Sequence, residues 1–129
     1  MAGAGIGKRM ENVTLEAARA RVVEALKAEG FGVLTEIDMT ATMKAKIGAD
    51  IRPYRILGAC NPPLAHKAIS ANPEAGLMMP CNVILYGDGD DVVVTAVDPT
   101  QVPVVKGQPA MEELATEVKA RLARVIGAA

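Results

Sequence analysis

Apolar positions recur along this chain in two rhythms. Leu15, Ala18, Val22, Ala25 and Leu26 fall on one side of a 3.6-residue repeat and predict a first helix. Thr14 precedes it as a cap, Glu16 lies in its first turn where negative charge suits the dipole, and Gly30 stops it. Phe31 to Ile37 alternates as a strand, a short helix is expected from Thr40 to Ile47, and Tyr54 to Cys60 reads as a second strand. Asn61 followed by Pro62 and Pro63 is a helix start, because asparagine caps and proline lacks only an N–H that has no partner there, so a helix is expected from about Pro62 to Ala71.

After the Asn72-Pro73 turn, LMMPCNVILY is expected as a strand, YGDGDD as a hairpin turn and DVVVTAV as the returning strand. Asp98-Pro99 ends that strand, and Pro103 with Gly107 keeps the next segment irregular or briefly helical. Pro109 opens a last helix with Met111, Leu114, Ala115, Val118, Leu122, Val125 and Ile126 at helical spacing. Gly5 to Met10 is a weak first strand. These elements predict an α+β fold, a two-layer sandwich with helices packed on a mixed, mostly antiparallel sheet of about five strands, in one domain over residues 1–129. Leu77, Met79, Val83 and Leu85 would face one side and Met78, Ile84 and Tyr86 the other, with Val92, Val93, Val94 and Val97 likewise divided. A sheet wetted on one face would alternate with polar residues instead. The expectation is therefore a homodimer in which a second copy covers what the helices leave open.

Composition narrows the function. With 14 basic and 15 acidic residues the net charge is -1, which provides no field or basic tract for a phosphate backbone. One Phe, two Tyr and no Trp provide no base-stacking platform, so no nucleic-acid partner is expected. No membrane partner is expected either: the start lacks the apolar run of a secretory signal and no stretch is long and apolar enough for a span. The expected location is cytoplasmic, where a lasting structural disulfide between Cys60 and Cys81 is disfavoured.

The only two cysteines each form a Cys-Asn pair beside a proline, Pro62 after one and Pro80 before the other, and the only histidine lies between them. Cys60 ends a strand before a helix N-terminus, a position that can favour thiolate; the alternative is a small buried hydrophobe. Pro80 cannot donate to a ladder, so its strand is expected at an edge or bulged there, re-aiming Cys81. The candidate ligand-binding residues are Cys60, Asn61, Cys81, Asn82, His66 and Glu36, with the asparagines either offering amides to a ligand or only satisfying local backbone. Cys60, Cys81 and His66 suit zinc or copper, although C-x5-H-x14-C is no established metal motif. Met78 and Met79 can add thioethers or be plain core. Asp38, Arg52, Arg55 and Asp98 are strand-end charges that orient a ligand or merely form turns. No Ser-His-Asp triad can be assigned with one His, and GAGIGK lacks the strand-before, helix-after setting of a phosphate loop.

GFGVLTEIDM, RPYRILGACNPPLAHKAI, GLMMPCNVILY and VTAVDP, in that order and spacing, resemble the signature blocks of the domain-of-unknown-function 302 family from about Thr14 onward. The resemblance implies a small two-layer α/β domain similar to bacterial and archaeal members that form dimers. It implies no reaction, and the chain departs most from the pattern at its first strand. Three functional readings result: binding of a small ligand or metal at a Cys60/Cys81 strand-end site, a thiol-dependent redox enzyme or sensor, and a dimerisation module without chemistry.

Overall fold

A computed structural model of the chain describes residues 5–102 and 105–129. Their order is β1 (Gly5–Met10), α1 (Leu15–Ala28), β2 (Gly32–Asp38), α2 (Met39–Ile47), β3 (Tyr54–Cys60), α3 (Pro62–Ala71), a 3-10 segment (Pro73–Met78), β4 (Cys81–Asp88), β5 (Asp91–Val97), a 3-10 turn (Pro99–Gln101) and α4 (Pro109–Ala128). The strands form one sheet in the order β1-β5-β4-β3-β2. Every pairing in it is antiparallel, and the expected α+β fold of helices packed on a sheet of about five strands forms. Consecutive β1 and β2 occupy opposite edges, and α1 spans the sheet between them.

The caps follow the sequence. Thr14 Oγ1 accepts the Ala17 N–H at 3.1 Å and Asp38 Oδ1 accepts that of Ala41 at 3.0 Å, each satisfying a donor that the helix leaves orphaned. At the end of α1, Gly30 has φ 84°, in the left-handed region that a side chain disfavours. There the Phe31 N–H returns to the Leu26 carbonyl at 2.9 Å and that of Gly30 to Lys27 at 3.0 Å, a closure that turns Phe31 into the core.

Helices α1 and α4 cover one face of the sheet. Val22 and Leu26 from α1, Leu122 and Val125 from α4, and Leu57, Val83, Leu85, Val92 and Val94 from the strands are fully buried in that layer. Each such side chain stabilises the fold by about 1.5–3 kcal/mol relative to exposure. On the other face Tyr54 pairs with Tyr86 and Ile56 with Ile84, and these remain half-buried. Helix α2 packs chiefly on β2 and β3 and buries none of its residues.

Two expectations change. The segment before Cys81 is a 3-10 turn followed by a cis Met79–Pro80 peptide, so Leu77, Met78 and Met79 do not alternate on the sheet. Strand β4 lies between β3 and β5, and the register irregularity falls on β2 between Val33 and Thr35. Pro80 thus stands just ahead of an interior strand, where its missing N–H costs no ladder bond. The expectation attached to Pro103 lies outside the described residues. The weak first strand forms in full, pairing along β5 from Gly5↔Val97 to Met10↔Val92.

Candidate functional site

The sheet meets the second half of the helical layer at one end, where β3 stops, β4 starts and α3 crosses the N-terminal half of α4. A satellite cluster of Ala68, Ala75, Val105, Met111 and Ala115, with Met79 and Leu114 against it, stands beside the main core there. Between the two clusters lies a cavity of about 320 Å³. That is roughly twice the ~150 Å³ of an engineered apolar cavity that stays dry and takes up benzene, and it falls in the size range of small-molecule pockets. The cavity exists because its walls use small side chains at packed positions: Ala65 and Ala68 on α3, Ala75 after it, and Ala115 on α4. Its mouth is apolar as well, with Leu34, Ile69 and Met78 67%, 47% and 44% exposed.

Both cysteines border this cavity. Cys81 is the ladder neighbour of Ala59, and Cys60 is the next residue on that strand. Both are free thiols and half-buried. Burial first, and the nearness of Cys60 second, push the Cys81 thiol up to about 11. Cys81 is therefore a neutral thiol near neutral pH and contributes a soft, weakly polar surface there rather than a thiolate.

Asn61 is 6% exposed and bonded at both ends of its amide. Its Oδ1 accepts the Leu64 N–H at 3.3 Å, capping α3. Its Nδ2 donates to the Glu29 carbonyl at 3.2 Å, which also accepts from Arg121 Nη1 at 3.1 Å. The residue thus ties α3 to the end of α1 while forming part of the wall. Gly58 leaves room for Pro80, a wall residue, to pack against the sheet: a Cβ there would stand 2.6 Å from Pro80 Cγ and collide with Thr35.

The other candidate residues lie elsewhere. Asn82 is exposed and one step along the pleat from Cys81, so it sits on the opposite face of β4, paired with Gly58. His66 is exposed on α3 and does not border the cavity. Among the described residues no three His, Cys, Asp or Glu side chains gather as a metal site, so Cys60, Cys81 and His66 are not assembled into one. Glu36 belongs to an ion-pair cluster at the β2 edge, bonded by Arg19 Nη2 at 2.6 Å and Arg55 Nη1 at 3.1 Å; the Arg19 bond above all holds its carboxyl below the usual range. Arg55 also pairs with Glu16 and lies near Asp38. Asp98 is buried as the cap of the Pro99–Gln101 turn. Burial raises its pKa, but bonds from Thr100 and Lys119 outweigh that and leave it lowered.

Sequence reasoning missed most of the wall, including Phe31, Leu64, Ala68, Met111 and Ala115. The signal for it was present as alanines at buried positions of two crossing helices, where larger residues would have closed the gap. Among the described residues no helix is long and apolar enough to cross a membrane.

A sequence profile described as "Domain of unknown function DUF302" matches residues 6–129. No curated protein matches the chain. A solved structure of an uncharacterized conserved DUF302 protein from Bacillus stearothermophilus is 27% identical, with 98% of each chain covered and a TM-score of 0.89. Matched over nearly its whole length by the profile and over nearly the whole of that fold in space, the chain belongs to the DUF302 family.

Proposed function

We propose that this protein binds a small, uncharged, apolar molecule in the cavity between α3, α4 and the start of β4. One observation carries the reading: a cavity of about 320 Å³ whose lining, among the described residues, contains no charged side chain and whose polar side chains are two thiols and an amide already engaged at both ends. A charged or strongly polar ligand would lose its hydration there without recovering hydrogen bonds, at a cost of about 1–3 kcal/mol per group on mutational scales. An aliphatic group loses nothing and gains about 25 cal/mol for each Å² removed from water. The methionines suit a ligand of variable shape, since thioether side chains repack easily. The neutral Cys81 thiol argues for recognition rather than thiolate catalysis.

The test is displacement of an uncharged naphthylamine fluorophore by octanol in the wild type and in Ala115→Phe, which fills the cavity. Wild-type binding with a Kd of roughly 10–500 μM, lost in the filled variant with the fold intact, supports the reading. Equal binding by both variants refutes it.

A second copy of the chain is the proposed cover for the other sheet face. Supporting this, Tyr54 and Tyr86 stack at 5.8 Å beside the half-buried Ile56–Ile84 pair, and Ile37, the ladder partner of Ile56, is 44% exposed. A face of this character fits a self-complementary interface. Light scattering is expected to give twice the chain mass at micromolar concentration; only the monomer mass would contradict it.

A further inference from the structure

The chain has two cysteines and seven methionines, and among the described residues five of these sulfur-bearing side chains, Cys60, Cys81, Met78, Met79 and Met111, belong to residues that line this one cavity. They converge from four places in the sequence: the end of β3, the start of β4, the turn before it and the first turn of α4. Gap filling alone does not account for them, because Met78 remains 44% exposed at the mouth. Thiol and thioether donors without nitrogen or oxygen partners select soft, closed-shell metal ions.

We propose that the cavity binds a soft monovalent cation, copper(I), through a cysteine sulfur and methionine thioethers. The proposal rests on the cavity being accessible as described above, and it replaces the exposed His66 with the methionines. On binding, one thiol S–H bond breaks, its proton passes to water, and copper–sulfur bonds form with no change of oxidation state. One thiolate and one copper(I) ion make a neutral unit, which matters in a cavity whose lining contains no charged side chain to balance a leftover charge. Zinc would require both thiols to ionise and two further nitrogen, oxygen or thiolate ligands. The lining offers no such ligand, since the Asn61 amide is spoken for.

The experiment is anaerobic titration of the full chain with copper(I) against bicinchoninate, followed by the NMR signals of methyl-labelled methionine. The expected result is one copper(I) per chain, with shifts at Met78, Met79 and Met111 but not at Met39 or Met43. Binding should weaken at least tenfold in Cys60→Ser with Cys81→Ser and several-fold in Met79→Leu, which keeps the side-chain volume. Zinc should leave the spectrum unchanged. No competition with bicinchoninate, or binding unaltered in both variants, would overturn the proposal. Octanol binding separates the two readings: octanol bound without copper sinks the metal proposal alone, and copper bound without octanol sinks the apolar-ligand reading alone.

Discussion

Replacing Asn61 by alanine tests whether this residue holds the cavity wall or contacts a ligand. The substitution removes the acceptor for the Leu64 N–H and the donor to the Glu29 carbonyl. Loss of a helix N-cap typically costs about 1 kcal/mol. Here the site is buried, with Asn61 6% exposed, so the stranded N–H shifts the cost toward about 2 kcal/mol. The Glu29 carbonyl keeps its bond from Arg121, which limits the second loss to about 0.5–1.5 kcal/mol. The two together come to roughly 2–4 kcal/mol, or a fall in Tm on the order of 10 °C for a chain of this size. Urea unfolding followed by circular dichroism measures it. Asn61→Asp supplies the control, since it retains the capping oxygen but cannot donate as a carboxylate, and should recover only the capping share. A stability within 0.5 kcal/mol of wild type for Asn61→Ala, joined to lost octanol binding, would refute the structural assignment and make Asn61 a ligand contact.

In a Cys60→Ser background, alkylation of Cys81 should be slow at pH 8, where roughly one thiol in a thousand is ionised if it titrates at about 11. The rate should climb about tenfold per pH unit to pH 10; a plateau near the ordinary thiol value of ~8.5 would contradict its burial. Asp98 has a folded pKa below its unfolded one, so its stabilising contribution is present above about pH 4 and is lost as pH falls through the depressed folded value. Asp98→Asn should therefore cost about 1–3 kcal/mol at pH 7, with the gap from wild type narrowing in acid urea titrations; a gap independent of pH would count against the Thr100 and Lys119 bonds. Gly58→Ala must displace Pro80 or Thr35 and should cost about 1–3 kcal/mol, with broadened signals at Cys81. A neutral outcome in thermal unfolding would mean that the wall gives way easily.

Most of the scaffold was legible because local chemistry and tertiary structure agree. Asn61-Pro62-Pro63 begins α3 and Tyr54 to Cys60 is β3, as capping and alternation require. Failures cluster at Leu77 to Pro80. An apolar run reads as strand, yet Pro73 and Gly76 allow a 3-10 turn, and Met78, Met79 and Pro80 line the cavity rather than the sheet while Leu77 is exposed. That Cys60 and Cys81 both border one cavity was only partly readable, since sequence places each at a strand end but says nothing of which strands are neighbours. His66 lies on the right helix but the wrong side of it, and the Glu36 carboxylate is occupied by arginines distant in sequence. The cavity itself depends on what α3 and α4 leave unfilled, and the alanines that mark it are readable only once the crossing of those two helices is known.

The central claim concerns where an apolar molecule goes, and the methionine methyl groups report it in a single spectrum. Met78, Met79 and Met111 border the cavity, Met10 lies in the main core, and Met39 and Met43 lie on α2, outside the cavity lining. On titration with octanol, the first three signals should shift together and saturate while Met39 and Met43 remain still. Shifts confined to Met39 and Met43, or none at all at saturating octanol, would contradict the account.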